Sequence, residues 1–190
     1  LVLAGAGSGK TRVITRKIAY LIEQCGIPAK NVAAVTFTNK AAREMKTRVS
    51  ELMASRQNSA AARGLMVSTF HTLGLNILRR EYKSLGYRSG FSIFDAQDSL
   101  AVLRDLMGRD FAADSEHAEQ VQWQISEWKN QLILPDKAMQ IAEAGTQMAA
   151  AKVYPLYTAA LQAYNAVDFD DLILKPVVLF RENPEVLKKW

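Results

Sequence analysis

The sequence predicts an α/β protein, a parallel-sheet core that gives way to an all-helical segment. Three observations carry that prediction. Leu1-Val2-Leu3 runs into a small-residue loop that ends in Gly9-Lys10-Thr11, and a helical pattern follows. Short apolar runs at 31–37 and 65–68 alternate with helical stretches. From about Thr69 onward the periodicity is helical, with almost no strand signal. Strands alternating with helices imply βαβ units, so an all-helical insertion after the third strand is the economical description.

The elements follow in order. Val13, Ile14, Ile18, Leu21 and Ile22 keep helical spacing, and Gly26 and Pro28 close that helix. Asn31 to Phe37 reads as a short buried strand. Asn39 is the expected N-cap of a helix running to about Met53, with Ala42, Met45, Val49 and Leu52 on one face. Residues 54–64 are polar and small, a surface loop, and Leu65 to Ser68 is a third apolar run. Beyond it, helices are expected over Phe70 to Tyr82, from Asp95 or Asp98 to Met107, and over Glu116 to Leu132. Three more cover Asp136 to Gly145, Ala149 to Tyr164, and Asp168 to Phe180, the last interrupted or bent at Pro176. The domain boundaries expected from this pattern are 1–70 for the first part of the core, 71–168 for the insertion, and 169–190 for the return to the core.

Composition narrows the class. Hydrophobic residues make up 49% and charged residues 23%, which is globular. The single Cys25 excludes an internal disulfide and a cysteine-rich metal site, and it fits a reducing, cytoplasmic setting. No apolar run approaches the ~20 residues needed to span a membrane. The chain opens at Leu1 without methionine and directly in a strand, so a piece of a longer protein is expected. Residues 1–80 carry 13 Lys/Arg against 3 Asp/Glu, whereas residues 81–190 carry 11 against 16. The basic excess belongs to the glycine-loop half. It suggests a polyanion beyond one nucleotide, although a solvated basic face explains the charge equally well.

Ala4-Gly5-Ala6-Gly7-Ser8-Gly9-Lys10-Thr11 sits between strand and helix, the context a phosphate-binding P-loop requires. Gly5, Gly7 and Gly9 let the backbone turn tightly and point N–H groups at phosphate oxygens. The helix that begins at about Lys10 adds its own N–H groups and positive dipole end. Lys10 would reach the β- and γ-phosphates as a point charge, and Thr11 would offer its hydroxyl to Mg²⁺. One position departs from the strict pattern: Ala4 stands where glycine is expected, a change that a negative φ tolerates. A nucleoside triphosphate is the ligand this loop predicts.

Two further clusters lie just past the carboxyl ends of predicted strands, where parallel sheets place function. Thr36-Phe37-Thr38-Asn39-Lys40 offers a ring, hydroxyls, an amide and a cation. Ser68-Thr69-Phe70-His71-Thr72 repeats most of that set and adds His71. Rings can stack on bases while amides and hydroxyls hold phosphates. Each cluster alone also reads as structure, with Phe37 and Phe70 in the core and His71 an ordinary polar surface residue.

Taken in order, four stretches resemble the superfamily 1 DNA helicases of the UvrD/Rep/PcrA type. They are Ala4 to Arg12, Ala34 to Met45, Ser68 to Gly74, and Asp168-Phe169-Asp170-Asp171-Leu172. In that family an alanine-first P-loop is usual. The resemblance covers essentially the whole chain and implies a RecA-like P-loop core domain carrying a helical subdomain as an insertion. It further implies 3′→5′ translocation on single-stranded DNA and unwinding at single-strand/duplex junctions, with ATP and Mg²⁺, in replication or repair and alongside proteins of those processes. Carried over by residue, Ala4 to Thr11 would form the ATP loop, and Arg12 would lie near the base and sugar. Phe37, Asn39, Lys40, Thr69, Phe70, His71 and Phe169 would border the DNA.

Hydrolysis also needs an acidic pair after a second apolar strand, and no strand followed by Asp-Glu occurs in these residues. Asp168, Asp170 and Asp171 are read as opening a helix rather than ending a strand, which makes them poor substitutes. The isolated chain is therefore expected to be inactive. Three other readings stay open: the motor of a helicase-nuclease subunit, a P-loop small-molecule kinase, and a non-catalytic DNA-binding module with a vestigial nucleotide loop.

Overall fold

The computed structural model describes residues 9–54, 63–111 and 115–190. The first predicted strand, most of the glycine loop and most of the 54–64 loop lie outside them. The described chain is mixed α/β, mostly helical, with two short parallel sheets. It divides into two compact units, Leu1–Leu73 and Gly74–Trp190.

In the first unit, α1 spans Lys10–Glu23 and buries Thr15, Ile18, Ala19 and Ile22. Val13 and Ile14, expected on the inner face, are exposed instead. Their place is taken by Thr15 and Ala19, small residues whose inward position hydropathy alone does not reveal. Strand β1 is Ala33–Thr36 and β2 is Met66–Thr69; they pair in parallel, with Ala33 opposite Met66 and Thr36 opposite Thr69. Between them α2, Asn39–Ala54, buries Ala42, Met45, Val49 and Met53, every third or fourth residue, as a helix packed on one side requires. The helices α1 and α2 and the two strands close one core around Ile18, Val32, Val49 and Met53.

Both strands hand over to a helix in the same way. Thr38 Oγ1 accepts the Ala41 N–H at 3.1 Å, which makes Thr38 the N-cap of α2 and corrects the expectation for Asn39. Asn39 is the first helical residue. One strand over, Thr69 Oγ1 accepts the Thr72 N–H at 3.1 Å and caps α3, Phe70–Glu81.

The second unit is built mainly of helices. After Ser92–Ile93 (β3), α4 covers Ala96–Phe111 and leaves helical geometry at Gly108, one residue past the expected end. Its start carries a reciprocal cap: Asp95 Oδ1 accepts the Asp98 N–H at 2.9 Å, and Asp98 Oδ2 accepts the Asp95 N–H at 3.2 Å. Helices α5 (Ser115–Asn130), α6 (Pro135–Ile141) and α7 (Thr146–Ala163) complete the bundle. Leu103, Val121, Ile125, Trp128, Tyr154, Tyr157 and Leu161 fill its core. The fourth expected helix ends at Ile141, short of Gly145.

Strand β4, Ala166–Val167, pairs in parallel with β3, Ser92 opposite Ala166. This sheet lies inside the stretch expected to be an all-helical insertion, and corrects that expectation. Two residues per strand are too few to show a period. Helix α8 runs Asp171–Glu182 and α9 Pro184–Lys189. Pro176 sits inside α8 and removes the N–H that would bond the Leu172 carbonyl. That oxygen lies against Gly74 of α3, where an added Cβ would come within 1.7 Å of it. Only glycine fits there.

Candidate functional site

The described part of the glycine loop begins at Gly9. Its φ of +78° is left-handed backbone, which glycine enters without penalty, and among the described residues no other side chain or backbone atom stands within 4 Å of where a Cβ would be. The first bond of the α1 ladder runs from the Val13 N–H to the Gly9 carbonyl at 3.1 Å. Amides of the first turn therefore precede the ladder and point along the axis toward the loop. Lys10, Thr11 and Arg12 are all exposed in that turn, and the turn itself contains no acidic residue. A triphosphate and its Mg²⁺ fit this donor set: a left-handed glycine, a positive helix end, an ammonium and a hydroxyl. Arg12 also lines a cleft of about 460 Å³ with Thr15, Arg16, Arg48, Glu51 and Leu52. Ala4 to Ser8 lie outside the described residues.

The second feature stands at the carboxyl ends of β1 and β2. Because Thr36 is opposite Thr69 in the parallel register, the residues that follow, Phe37 and Phe70, leave the sheet side by side. Their ring centroids are 6.5 Å apart, tilted by 56°. Phe37 is 92% exposed and Phe70 48% exposed, so neither is a core residue. Asn39 and Lys40 are exposed in the first turn of α2, and His71 is half-buried in the first turn of α3. Thr69 differs from the rest. It is buried, and its hydroxyl caps α3 and lies 2.9 Å from that of Thr72. The structure thus brings Phe37 and Phe70 together and gives Thr69 a supporting place.

In the second unit, Phe169 follows β4 and is 57% exposed. Of its acidic neighbours, Asp170 and Asp171 open the helix as expected and Asp168 does not. Asp168 comes directly after the strand, Asp170 is the N-cap and α8 starts at Asp171. Two of these carboxylates turn inward to Lys129. Lys129 Nζ lies 2.6 Å from Asp168 Oδ2 and 2.9 Å from Asp171 Oδ1. The Tyr157 hydroxyl donates to Asp168 Oδ2 at 2.9 Å, and the Asp171 N–H donates to Asp168 Oδ1 at 2.9 Å. Burial would push the Lys129 ammonium down, but the Asp171 and Asp168 carboxylates outweigh it and hold its pKa above the ordinary lysine value. Removing the lysine would strand two buried carboxylates at a cost of about 3–5 kcal/mol. Among the described residues, no group of three His, Cys, Asp or Glu side chains could hold a metal ion. The motif reading missed Lys129. Its one signal was position, four residues after Ile125 on the buried stripe of α5.

Nearby, Phe94, Trp123, Tyr157, Asp168, Phe169 and Asp170 help to line a cavity of about 350 Å³. Burial raises the Asp170 carboxyl above its usual range.

A mostly helical α/β chain with short parallel sheets and a glycine-led helix start is consistent with a helicase N-terminal domain. The comparison with known families is specific: the model of the UvrD/REP helicase N-terminal domain matches residues 1–190, and the chain belongs to that family. It is 53% identical over its whole length to the ATP-dependent DNA helicase Rep of Escherichia coli K12, covering 28% of that protein. It is 52% identical to the Rep helicase of Salmonella typhimurium LT2, again across the whole chain and 28% of the relative. Against the ATP-dependent DNA helicase PcrA of Staphylococcus aureus Mu50 the identity is 41%, covering 26% of that protein. The chain spans a little over a quarter of the length of these relatives.

Proposed function

We propose that this chain is the ATP- and DNA-binding amino-terminal part of an ATP-dependent 3′→5′ DNA helicase, a single-strand translocase that acts at single-strand/duplex junctions in replication or repair. The observation that carries this reading is the Phe37–Phe70 pair. Two neighbouring solvent-facing rings at the ends of parallel strands form a stacking platform that any base can use. Basic residues crowd the same unit, as a phosphate backbone favours.

In this reading the first 70 residues begin a RecA-like core domain, 71–168 form an inserted helical subdomain, and 169–190 return to the core. Ala4 to Arg12 hold ATP, with Lys10 on the β- and γ-phosphates and the Thr11 hydroxyl on Mg²⁺, which would neutralise charge on the transferring phosphoryl group. Phe37 and Phe70 take the bases. Asn39, Lys40 and His71 take the sugar-phosphate edge, Thr69 fixes the turn beneath them, and Phe169 is a further DNA contact. The cytoplasm is the setting this assigns, and no described helix is long and apolar enough to cross a membrane.

Lys10→Ala in the full-length protein tests the reading. ATP turnover should fall to background while oligo-dT binding largely survives. Persistent turnover would remove Lys10 from the role. The isolated 190-residue chain should show no DNA-stimulated ATPase, because Asp168 and Asp171, the carboxylates that follow β4, are tied to Lys129 and not free to orient water.

A further inference from the structure

Phe169 is an exposed ring in a segment tied down on both sides. Asp168, just before it, receives Lys129 Nζ at 2.6 Å and the Tyr157 hydroxyl at 2.9 Å on the same carboxylate oxygen. Asp171, two residues after it, receives Lys129 Nζ at 2.9 Å. The remaining Asp168 oxygen accepts the Asp171 N–H at 2.9 Å, which folds residues 168–171 into one closed turn. Asp170 Oδ1 accepts from Asn130 Nδ2 at 3.3 Å, so the residue next to Lys129 on α5 holds the same turn. The Lys129 side chain is only 2% exposed, and its ammonium also lies 5.2 Å from the centre of the Tyr157 ring.

A buried ion cluster of this kind is a poor device for stability, because apolar side chains of the same volume generally do as well. What it supplies is direction. A charged group with three fixed partners has one arrangement, whereas an apolar contact tolerates several. The turn it fixes carries one large side chain to solvent, and that side chain is an aromatic ring.

We propose that Lys129, together with Tyr157, is a positioning residue that holds Phe169 outward for stacking on a base of single-stranded DNA. Lys129 touches no DNA itself; it acts through the 168–171 turn. The proposal rests on the reading of Phe169 as a residue that meets the strand.

The test is a double-mutant cycle in the full-length protein, with affinity for a fluorescent oligo-dT measured at fixed salt and thermal melting recorded for every variant. Tyr157→Phe removes the hydroxyl that bonds Asp168 and leaves the ion pairs, so it should stay folded. Phe169→Ala should weaken binding about tenfold. Tyr157→Phe should weaken it about threefold when Phe169 is present and not at all in the Phe169→Ala background. Lys129→Met should behave like Tyr157→Phe but more strongly, and Lys129→Arg should recover much of the loss. ATP affinity should stay unchanged throughout.

Equal weakening in both backgrounds would overturn the proposal, as would a Tyr157→Phe protein that binds like wild type. If Phe169→Ala alone changed nothing, the positioning role would fall with it. The helicase reading would stand separately on Lys10 and on the Phe37–Phe70 pair.

Discussion

Phe37 and Phe70 stand with ring centroids 6.5 Å apart although 33 residues of sequence separate them, because each follows a threonine paired across the β1–β2 register. A slip of one residue in that register would send every side chain of the strand to the opposite face and part the rings. The pair is a property of the sheet, delivered to solvent at its carboxyl edge.

If these rings stack on bases, Phe37→Ala and Phe70→Ala should each weaken oligo-dT binding by about 1–3 kcal/mol. Neither should alter the dependence of affinity on salt, since a ring neutralises no phosphate. Lys40→Ala should do the reverse, with a modest loss and a salt slope reduced by about 1. Titrations at several salt concentrations separate the two. Wild-type affinity in Phe37→Ala would remove the platform.

The two threonine caps make a stability prediction. Thr38→Ala and Thr69→Ala should each cost about 1 kcal/mol in urea unfolding. Thr69 should stand at the upper end, because its hydroxyl is buried and serves both the Thr72 N–H and the Thr72 hydroxyl. Asn39→Ala should cost less than either, as Asn39 is already inside the helix. An order led by Asn39 would contradict the capping assignment.

Gly74→Ala should be among the most damaging single-methyl changes in the chain. The new Cβ would fall 1.7 Å from the Leu172 carbonyl oxygen and 2.9 Å from its carbon, so backbone must move. A loss of about 3 kcal/mol or outright misfolding is expected, at or beyond the upper end for overpacking. A urea midpoint within error of wild type would show that α3 and α8 part easily.

Two carboxylates should respond to pH with opposite signs. Glu81 accepts from Lys189 Nζ at 2.6 Å and Trp190 Nε1 at 3.0 Å, and chiefly the lysine bond holds its pKa below the ordinary value. That stabilisation is present above the usual carboxylate range and is lost as pH falls through the lowered value. Asp170 is raised by burial, so its charged form opposes folding and the opposition fades as pH falls. Glu81→Gln should therefore lower the melting temperature at pH 7, and Asp170→Asn should raise it, each by about 1–2 °C. Both differences should shrink as pH falls, the Asp170 difference first because its pKa is raised, and the Glu81 difference only at lower pH because its pKa is lowered. Melting curves at several pH values check the signs, and shifts in the same direction would refute the pairing.

Much of the fold could be read in advance where residues repeat a period over several turns. The apolar spacing of Ala42, Met45 and Val49 placed α2, and Asp95 with Asp98 placed the start of α4. The spacing misled where burial falls on small or polar residues, as with Thr15 and Ala19 in place of Val13 and Ile14. It was silent where an element is two residues long, as in β3 and β4. The aromatic pair was visible as two separate clusters, but their juxtaposition depends on strand register, which no local pattern encodes. Lys129 was hidden for a similar reason: its partners lie 39 and 42 residues further along the chain.

The pairing of β3 with β4 means that the chain enters and leaves its helical bundle through adjoining points, with Arg88 and Asn165 also bonded at 2.8 Å. Everything between Phe94 and Asn165 thus hangs from a doorway one strand spacing wide. Such a stretch can be exchanged for another of different length without relocating what lies outside it. One condition travels with the exchange. Asp168 and Asp171 wait on the far side of the doorway, so any replacement must bring its own buried cation.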